Sequence, residues 1–384
     1  MYSSITAGVA GTGFIGPVHV EGLRRLGVRV KGISSASPEL AEEARQQLNL
    51  EHAYADFEAM LTDEDLDVIH LAVPNVLHYP MVKQVLAAGK HVMCEKPLAM
   101  TSDQGKELLE LAKASQLKTG VNYNLRFYPM NLEVKERLQA GDAKIFTVVG
   151  AYQQDWLLYN TDYNWRVLAD QGGALRAVSD IGTHWLDLVH FTTGLEVEAV
   201  LADLTTVHTS RRRPKGEVSS FNNEVPRDED LESIDITTDD CASILLKFKG
   251  GARGQLFVTQ VSAGHKNRLT YDIATSDAAY EFNSERPNEL MIGRRDKPSE
   301  FLLKDPGLLT GMAAPFVNYP GGHNEGFPDT FKQCFRAFYD AILAGDKADP
   351  KTLYANFDDG LRELVICDAI IKSHQEQRWV YLAE

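Results

Sequence analysis

At 384 residues the chain exceeds what one compact core usually covers, so two domains are predicted. Its 44% hydrophobic and 24% charged residues are ordinary for a globular protein, and no apolar run has the length needed to span a bilayer. The net charge of −15, from 54 acidic against 39 basic residues, argues against nucleic acid or an anionic membrane as partner.

The first third alternates apolar runs with helical patterns. Strands are predicted over 5–9, 28–33, 68–73, 91–94 and 119–122, and helices over 18–26, 39–48, 80–88 and 102–114. Such alternation implies parallel βαβ units with helices on both faces of the sheet. Ser37 before Pro38 reads as an N-cap, and Gly89 as a helix stop.

Beyond about residue 123 the texture changes. A helix over 130–138 and a strand over 145–152 precede the stretch SDIGTHWLDLVHF, residues 179–191, which reads as a helix. Strands then crowd together at 197–201, 242–248, 254–261, 269–274, 279–282 and 290–292, and helices return over 330–344 and 356–372. This order predicts an open, mostly antiparallel sheet with helices on one face. The expected division is a domain over 1–123 and a second over 124–384. Residues 209–230, with Arg211, Arg212 and Arg213 followed by carboxylates, read as a solvated, self-neutralising insertion. The Gly- and Pro-rich segment 305–329 reads as a binding loop.

The four cysteines, Cys94, Cys241, Cys334 and Cys367, show no CxxC spacing, which favours reduced thiols over disulfides or a zinc site. No signal-peptide pattern stands at the N-terminus. A cytoplasmic location is the expectation.

Gly11-Thr-Gly-Phe-Ile-Gly16 follows the first strand and opens the first helix. There Gly11 permits a tight turn, Gly13 lets the backbone approach a pyrophosphate, and Gly16 lets helix and strand pack closely. The loop, with Phe14 and Ile15 inside it, is a candidate dinucleotide cradle. NAD-binding folds usually place an acidic residue after the second strand; here Ser34 and Ser35 stand instead, which admits NADP and mildly favours it. Glu95-Lys96-Pro97 follows the predicted strand 91–94, so Lys96 is expected where cofactor and substrate meet.

Projected at about 100° per residue, Asp180, His184 and Asp187 share one face of the helix over 179–191, with apolar residues covering the rest. A solvated stripe, a metal site and acid–base chemistry all fit that face. No HExxH pattern or cysteine cluster supports metal. With a dinucleotide loop present, acid–base chemistry is preferred, His184 serving as a base near neutrality and Asp180 orienting it or a substrate hydroxyl. Lys96 would hydrogen-bond the same oxygen and stabilise developing alkoxide charge, with either Lys96 or His184 as the group that takes the proton. Arg126, Trp165, Arg166 and His323 are weaker candidates for substrate contact.

GTGFIG, Pro74-Asn75 followed by His78, CEKP and Asp180-Ile-Gly-Thr-His184 occur in the order found in Gfo/Idh/MocA oxidoreductases, which the chain resembles over nearly its whole length. The resemblance implies an α/β architecture: a doubly wound Rossmann domain, then an α+β domain whose large open, mostly antiparallel sheet often forms a dimer or tetramer interface. It implies hydride transfer between NAD or NADP and a sugar or polyol. It assigns Asn75 and His78 to the nicotinamide side, Glu95 and Lys96 to the lysine motif, and Asp180 and His184 to a second catalytic signature. Two other outcomes stay open: a hydrolase or lyase that oxidises a sugar transiently with tightly held NAD, and a non-catalytic dinucleotide sensor.

Overall fold

The computed structural model describes residues 2–215, 230–345 and 352–382. They fall into two compact units. One contains Met1–Asn124 and Pro328–Leu364, the other Leu125–Val218, Asn222–Phe327 and Val365–Glu384.

The first unit begins with β1 (Thr6–Ala10), α1 (Ile15–Leu26), β2 (Arg29–Ser34), α2 (Pro38–Gln47), β3 (His52–Ala53) and α3 (Phe57–Leu61). It continues with β4 (Val68–Leu71), α4 (Asn75–Ala87), β5 (His91–Cys94), α5 (Ser102–Ser115) and β6 (Thr119–Val121). The six strands pair in the order β3-β2-β1-β4-β5-β6, all parallel. Every residue of β1 and β4 is buried, as expected of strands covered on both faces. The strand order reverses between β1 and β4, the switch point outside which α/β sheets bind ligands.

Two details differ from the sequence expectation. The short β3 and α3 were not predicted, because two and five residues give no readable period. Helix α4 starts at Asn75 rather than at Pro80, which lies inside it. Pro80 lies past the first turn and can donate no N–H to the Val76 carbonyl, so it marks the helix without marking its first residue.

The second unit contains α6 (Pro129–Gln139), β7 (Ile145–Gln153), α7 (Ala169–Gly172), α8 (Thr183–Thr193), β8 (Val197–Thr205), β9 (Ser210–Pro214) and β10 (Leu231–Asp235). Then come β11 (Cys241–Phe248), β12 (Arg253–Thr259), β13 (Arg268–Thr275), β14 (Ala279–Asn283), β15 (Glu289–Gly293) and β16 (Glu300–Leu303). The last elements of the chain are α9 (Phe327–Ala344), α10 (Phe357–Glu376) and β17 (Val380–Tyr381). Nine strands pair as β16-β15-β14-β13-β7-β12-β11-β8-β17, antiparallel except where β7 meets β12. Trp185 of α8 is buried on this sheet, its indole N–H donating to Thr270 O at 2.9 Å. Gly150 makes room for it, since a Cβ there would lie 2.4 Å from the indole nitrogen. Along β11 buried and more exposed residues alternate, and Leu245 together with Val149 and Phe257 is left exposed.

The expected boundary is corrected at the C-terminal side: residues 328–364 belong with the first unit. Phe335 of α9 sets its ring 4.8 Å from those of His19 and His70, and Tyr339 stacks on His70. Val121 N–H donates to Ala355 O at 2.8 Å. These contacts join positions far apart in sequence, which no local period reports.

The predicted insertion is also revised. Residues 216–229 lie outside the described residues, but β9 and β10 flank them as an antiparallel pair. Arg211 is fully buried rather than solvated, bonding Asp240 Oδ1 at 2.8 Å and the Tyr159, Asp162 and Leu157 carbonyls. Arg176, equally buried, pairs with the same carboxylate. Asp240→Ala would leave two buried guanidinium groups short of their counter-charge. A loss of roughly 3–5 kcal/mol in urea unfolding is expected; a loss below about 1 kcal/mol would refute the argument.

Candidate active site

The glycine loop follows β1, and its shape is set by backbone crowding. Gly11 adopts φ 109°, and a Cβ there would lie 2.1 Å from the Ala72 carbonyl that follows β4. A Cβ on Gly16 would lie 2.0 Å from the Gly11 carbonyl, so the tight packing is within the loop itself. Gly13 is exposed, and a Cβ there would meet nothing within 4 Å of protein, leaving its backbone open to a ligand. Helix α1 starts at Ile15, and its N-cap residue Phe14 supplies no side-chain cap. Amides at such a start offer partial positive charge to a phosphate. These features fit a dinucleotide pyrophosphate.

The two serines at the end of β2 divide, Ser34 closing the strand and Ser35 following it. Ser34 is 2% exposed, with its hydroxyl against Met60 Sδ at 3.9 Å, while its carbonyl accepts the Gly11 N–H at 2.9 Å. The expectation that its side chain meets the cofactor is corrected: it faces the core because residue directions alternate along a strand. Ser35 points the other way and lies 2.6 Å from the hydroxyl of Thr12, a loop residue the motif did not single out.

Lys96 follows β5 in a cis Lys96–Pro97 peptide and is half-buried. Behind it, the Glu95 carboxylate meets His19 Nε2 at 2.9 Å and accepts from Asn122 Nδ2 at 2.5 Å. Burial pushes this carboxyl up, but the His19 and Asn122 contacts and the charge of Lys96 outweigh it and hold the group at about 2. Glu95 is thus turned into the scaffold, a correction to its expected place on the cofactor side. Asn75, the first residue of α4, is buried. His78 is fully buried, with Nδ1 2.6 Å from Pro97 O and Nε2 2.9 Å from Val73 O. Burial lowers its pKa although both carbonyls oppose the shift. His78 therefore clamps the lysine loop to the β4–α4 turn, and its expected contact with cofactor is revised, since both ring nitrogens face backbone.

In the second unit, Val178–Gly182 forms a π-helical turn that leads directly into α8. Asp239 fixes its start, accepting from Arg176 N at 2.6 Å and Val178 N at 3.0 Å. Asp180 accepts from Gln260 Nε2 at 2.7 Å and Arg166 Nε at 3.2 Å. His184 is 8% exposed, its ring 6.4 Å from that of Tyr152. The predicted single stripe does not survive, because the wider π turn shifts the helical phase between Asp180 and the residues after it. Asp187 instead is buried in a two-pronged pair with Arg126.

That pair decides the role of Arg126. The guanidinium is 2% exposed and also lies 4.7 Å over the Phe191 ring, so the expected substrate contact is replaced by a structural one. Arg166 bridges Asp180 and Asn164 and lies 4.4 Å over the ring of half-buried Trp165. His323 is exposed, with Nδ1 3.2 Å from Gly321 O, in a loop whose ends Lys304 and Glu325 tie together at 2.8 Å. Gln260, Tyr152, Asn122 and His19 were not predicted, as no spacing connects them to the motifs. Among the described residues, no three His, Cys, Asp or Glu side chains converge as metal ligands.

Two family models match: the NAD-binding Rossmann fold of the oxidoreductase family over residues 5–123, and the GFO/IDH/MocA C-terminal domain over residues 131–281. The chain belongs to the Gfo/Idh/MocA family. This NAD-binding oxidoreductase is 28% identical to levoglucosan dehydrogenase of Pseudarthrobacter phenanthrenivorans across 98% of each chain. It is 26% identical to myo-inositol 2-dehydrogenase of Thermotoga maritima across 64% of this chain and 66% of that one. Levoglucosan dehydrogenase solved with NADH and L-sorbose superposes with a TM-score of 0.87, at 27% identity and 99% coverage of each chain.

For this Gfo/Idh/MocA member, Gly13→Ala is expected to unfold at the wild-type temperature while binding NADH at least about tenfold more weakly, measured by fluorescence titration. Unchanged affinity would remove Gly13 from the cradle. The Glu95 carboxyl, lowered from 4.5 to about 2 on folding, contributes stability that is present above 4.5 and lost as pH falls toward 2. Urea titrations across that window should show a steeper acid loss in the wild type than in Glu95→Gln.

Proposed function

We infer that this enzyme transfers hydride between a nicotinamide cofactor and the carbinol carbon of a pyranose, glycoside or polyol. Bound NAD or NADP supplies the hydride acceptor when the sugar is oxidised. The hydroxyl proton must leave in the same event, and His184 and Lys96 handle it. His184 is the base, Asp180 orients it or a sugar hydroxyl, and Lys96 stabilises charge developing on the oxygen. Arg166 holds Asp180 while offering, with Trp165, a planar cation and ring suited to a sugar face. Supporting this reading above all is the full-length similarity to levoglucosan dehydrogenase, with an open dinucleotide loop, Lys96, Asp180 and His184 all present.

The cytoplasm is the proposed location; no described helix is long and apolar enough to cross a membrane. A homodimer or homotetramer is proposed through the open sheet, whose uncovered side carries Val149, Leu245 and Phe257 at 46%, 43% and 36% exposure.

A screen of sugars and polyols with NAD and NADP, followed at 340 nm, tests the assignment. His184→Ala and Lys96→Ala should each lower kcat by roughly 10²–10⁴ with cofactor affinity retained. Full turnover in either variant would remove that residue from the mechanism, and failure to bind either dinucleotide would overturn the reading altogether.

A further inference from the structure

Three strands of the second unit end together. β7 and β12 are parallel neighbours and β13 runs antiparallel beside β7, so Gln153 pairs with Thr259 on one side and Arg268 on the other. The next residue at each of these ends carries a carboxamide: Gln154 after β7, Gln260 after β12 and Asn267 before β13. Residue directions alternate along a strand, so all three share the face that buries Tyr152, Val258 and Leu269, two positions away along the chain. That is the face covered by α8, where Trp185 fills the space above Gly150.

The polarity of the three carboxamides is fixed by groups that can act in only one sense. Arg176 only donates, so fully buried Gln260 turns its oxygen to Arg176 Nη1 at 2.9 Å. Its NH2 then donates to Asp180 Oδ2 at 2.7 Å and to Gln154 Oε1 at 3.2 Å. The indole N–H of Trp156, also only a donor, meets that same Gln154 oxygen at 2.7 Å. Gln154 is left to donate from Nε2, to Asn267 Oδ1 at 2.8 Å, where the Tyr152 hydroxyl donates as well, at 2.8 Å. With its oxygen held by two donors, half-buried Asn267 keeps an NH2 that meets no partner among the described residues. Its backbone is tied too, the N–H donating to Glu285 Oε1 at 3.1 Å and the carbonyl accepting from the Ser284 hydroxyl at 2.7 Å. Tyr152, which bonds Asn267, has its ring 6.4 Å from that of His184. Asn267 is thus one side chain removed from His184 and two carboxamides removed from Asp180.

We propose that, given the roles assigned above to Asp180 and His184, Asn267 is a specificity-determining residue whose NH2 donates to a sugar hydroxyl other than the one oxidised. The run Asp180–Gln260–Gln154–Asn267 presents an acceptor at one end and a donor at the other. A polyhydroxy ring or chain matches such a pair, because each of its hydroxyls can both accept and donate. Gln154 and Tyr152 prevent the Asn267 carboxamide from turning over, so a substrate without that second hydroxyl leaves the donor unpaired.

The test compares the sugar that the wild type turns over with its monodeoxy analogues. One analogue, altered at a carbon that is not oxidised, should lose roughly 10–10²-fold in kcat/KM. In Asn267→Ala the gap between the parent sugar and that one analogue should close, while the gaps to the other analogues stay and NADH affinity is unchanged. A merely structural role would lower parent and analogues alike, and a gap that persists in the variant overturns the proposal. A second measurement needs no variant: in wild-type crystals soaked with NADH and the parent sugar, Asn267 Nδ2 should lie about 3 Å from that same hydroxyl oxygen. No sugar oxygen within reach of Nδ2 overturns the proposal as well. Failure of the wild type to turn over any sugar or polyol overturns the dehydrogenase reading and this assignment together, whereas turnover with an unchanged gap removes Asn267 alone.

Discussion

A carboxylate taken out of water must be compensated where it lies, and this chain buries several of them in or next to the segments its motifs single out. The means of compensation differ. Glu95 receives imidazole and amide groups from His19 and Asn122, Asp239 receives two backbone amides, and Asp187 and Asp240 receive guanidinium groups. Each arrangement forces its donors into one geometry, because a displaced donor would leave a buried charge exposed to apolar surroundings. The lysine loop and the π-turn that carries Asp180 are positioned as a result of that demand. Rigidity in these two segments is thus obtained from the electrostatics of their buried partners.

The sequence reveals the parts of the fold that repeat locally. Strands buried on both faces read as unbroken apolar runs, and the helices between them read through their period and caps, as with Ser37 accepting the Leu40 N–H. What it does not reveal are pairings that depend on distance. Arg211 looked solvated because charged runs usually are, and its counter-charge sits 29 positions away with nothing in the spacing to announce it. Pro80 marked a helix but misplaced its start, since the proline sits inside the helix, past its first turn.

Within the site the same distinction applies at the scale of one side chain. Motifs single out segments, yet a polar residue in such a segment can turn toward solvent or toward the scaffold. Ser34 and Ser35 are adjacent and go opposite ways. Glu95 and Lys96 are adjacent too, and the carboxylate turns inward. His78 and Arg126 both stand in the right segments, but two carbonyls and a buried aspartate respectively claim them. Glycines are read more securely, because their role is steric: at Gly11 and Gly16 only the absence of Cβ is compatible with carbonyls about 2 Å away.

The first unit's discontinuity follows from the same chemistry. Its motifs all lie before residue 124, yet His19 and His70 reach the core of the sheet as polar groups that the N-terminal residues alone do not complete. The phenol of Tyr339 bonds His70, and Phe335 packs against both rings; both come from α9, more than 200 residues later in the chain. Ala355 similarly pairs with the end of β6. A dinucleotide domain cut at residue 123 would therefore expose two histidines and an apolar surface that the intact chain buries. The segment 328–364 is as much a part of that domain as the glycine loop, although nothing in its own sequence names a cofactor.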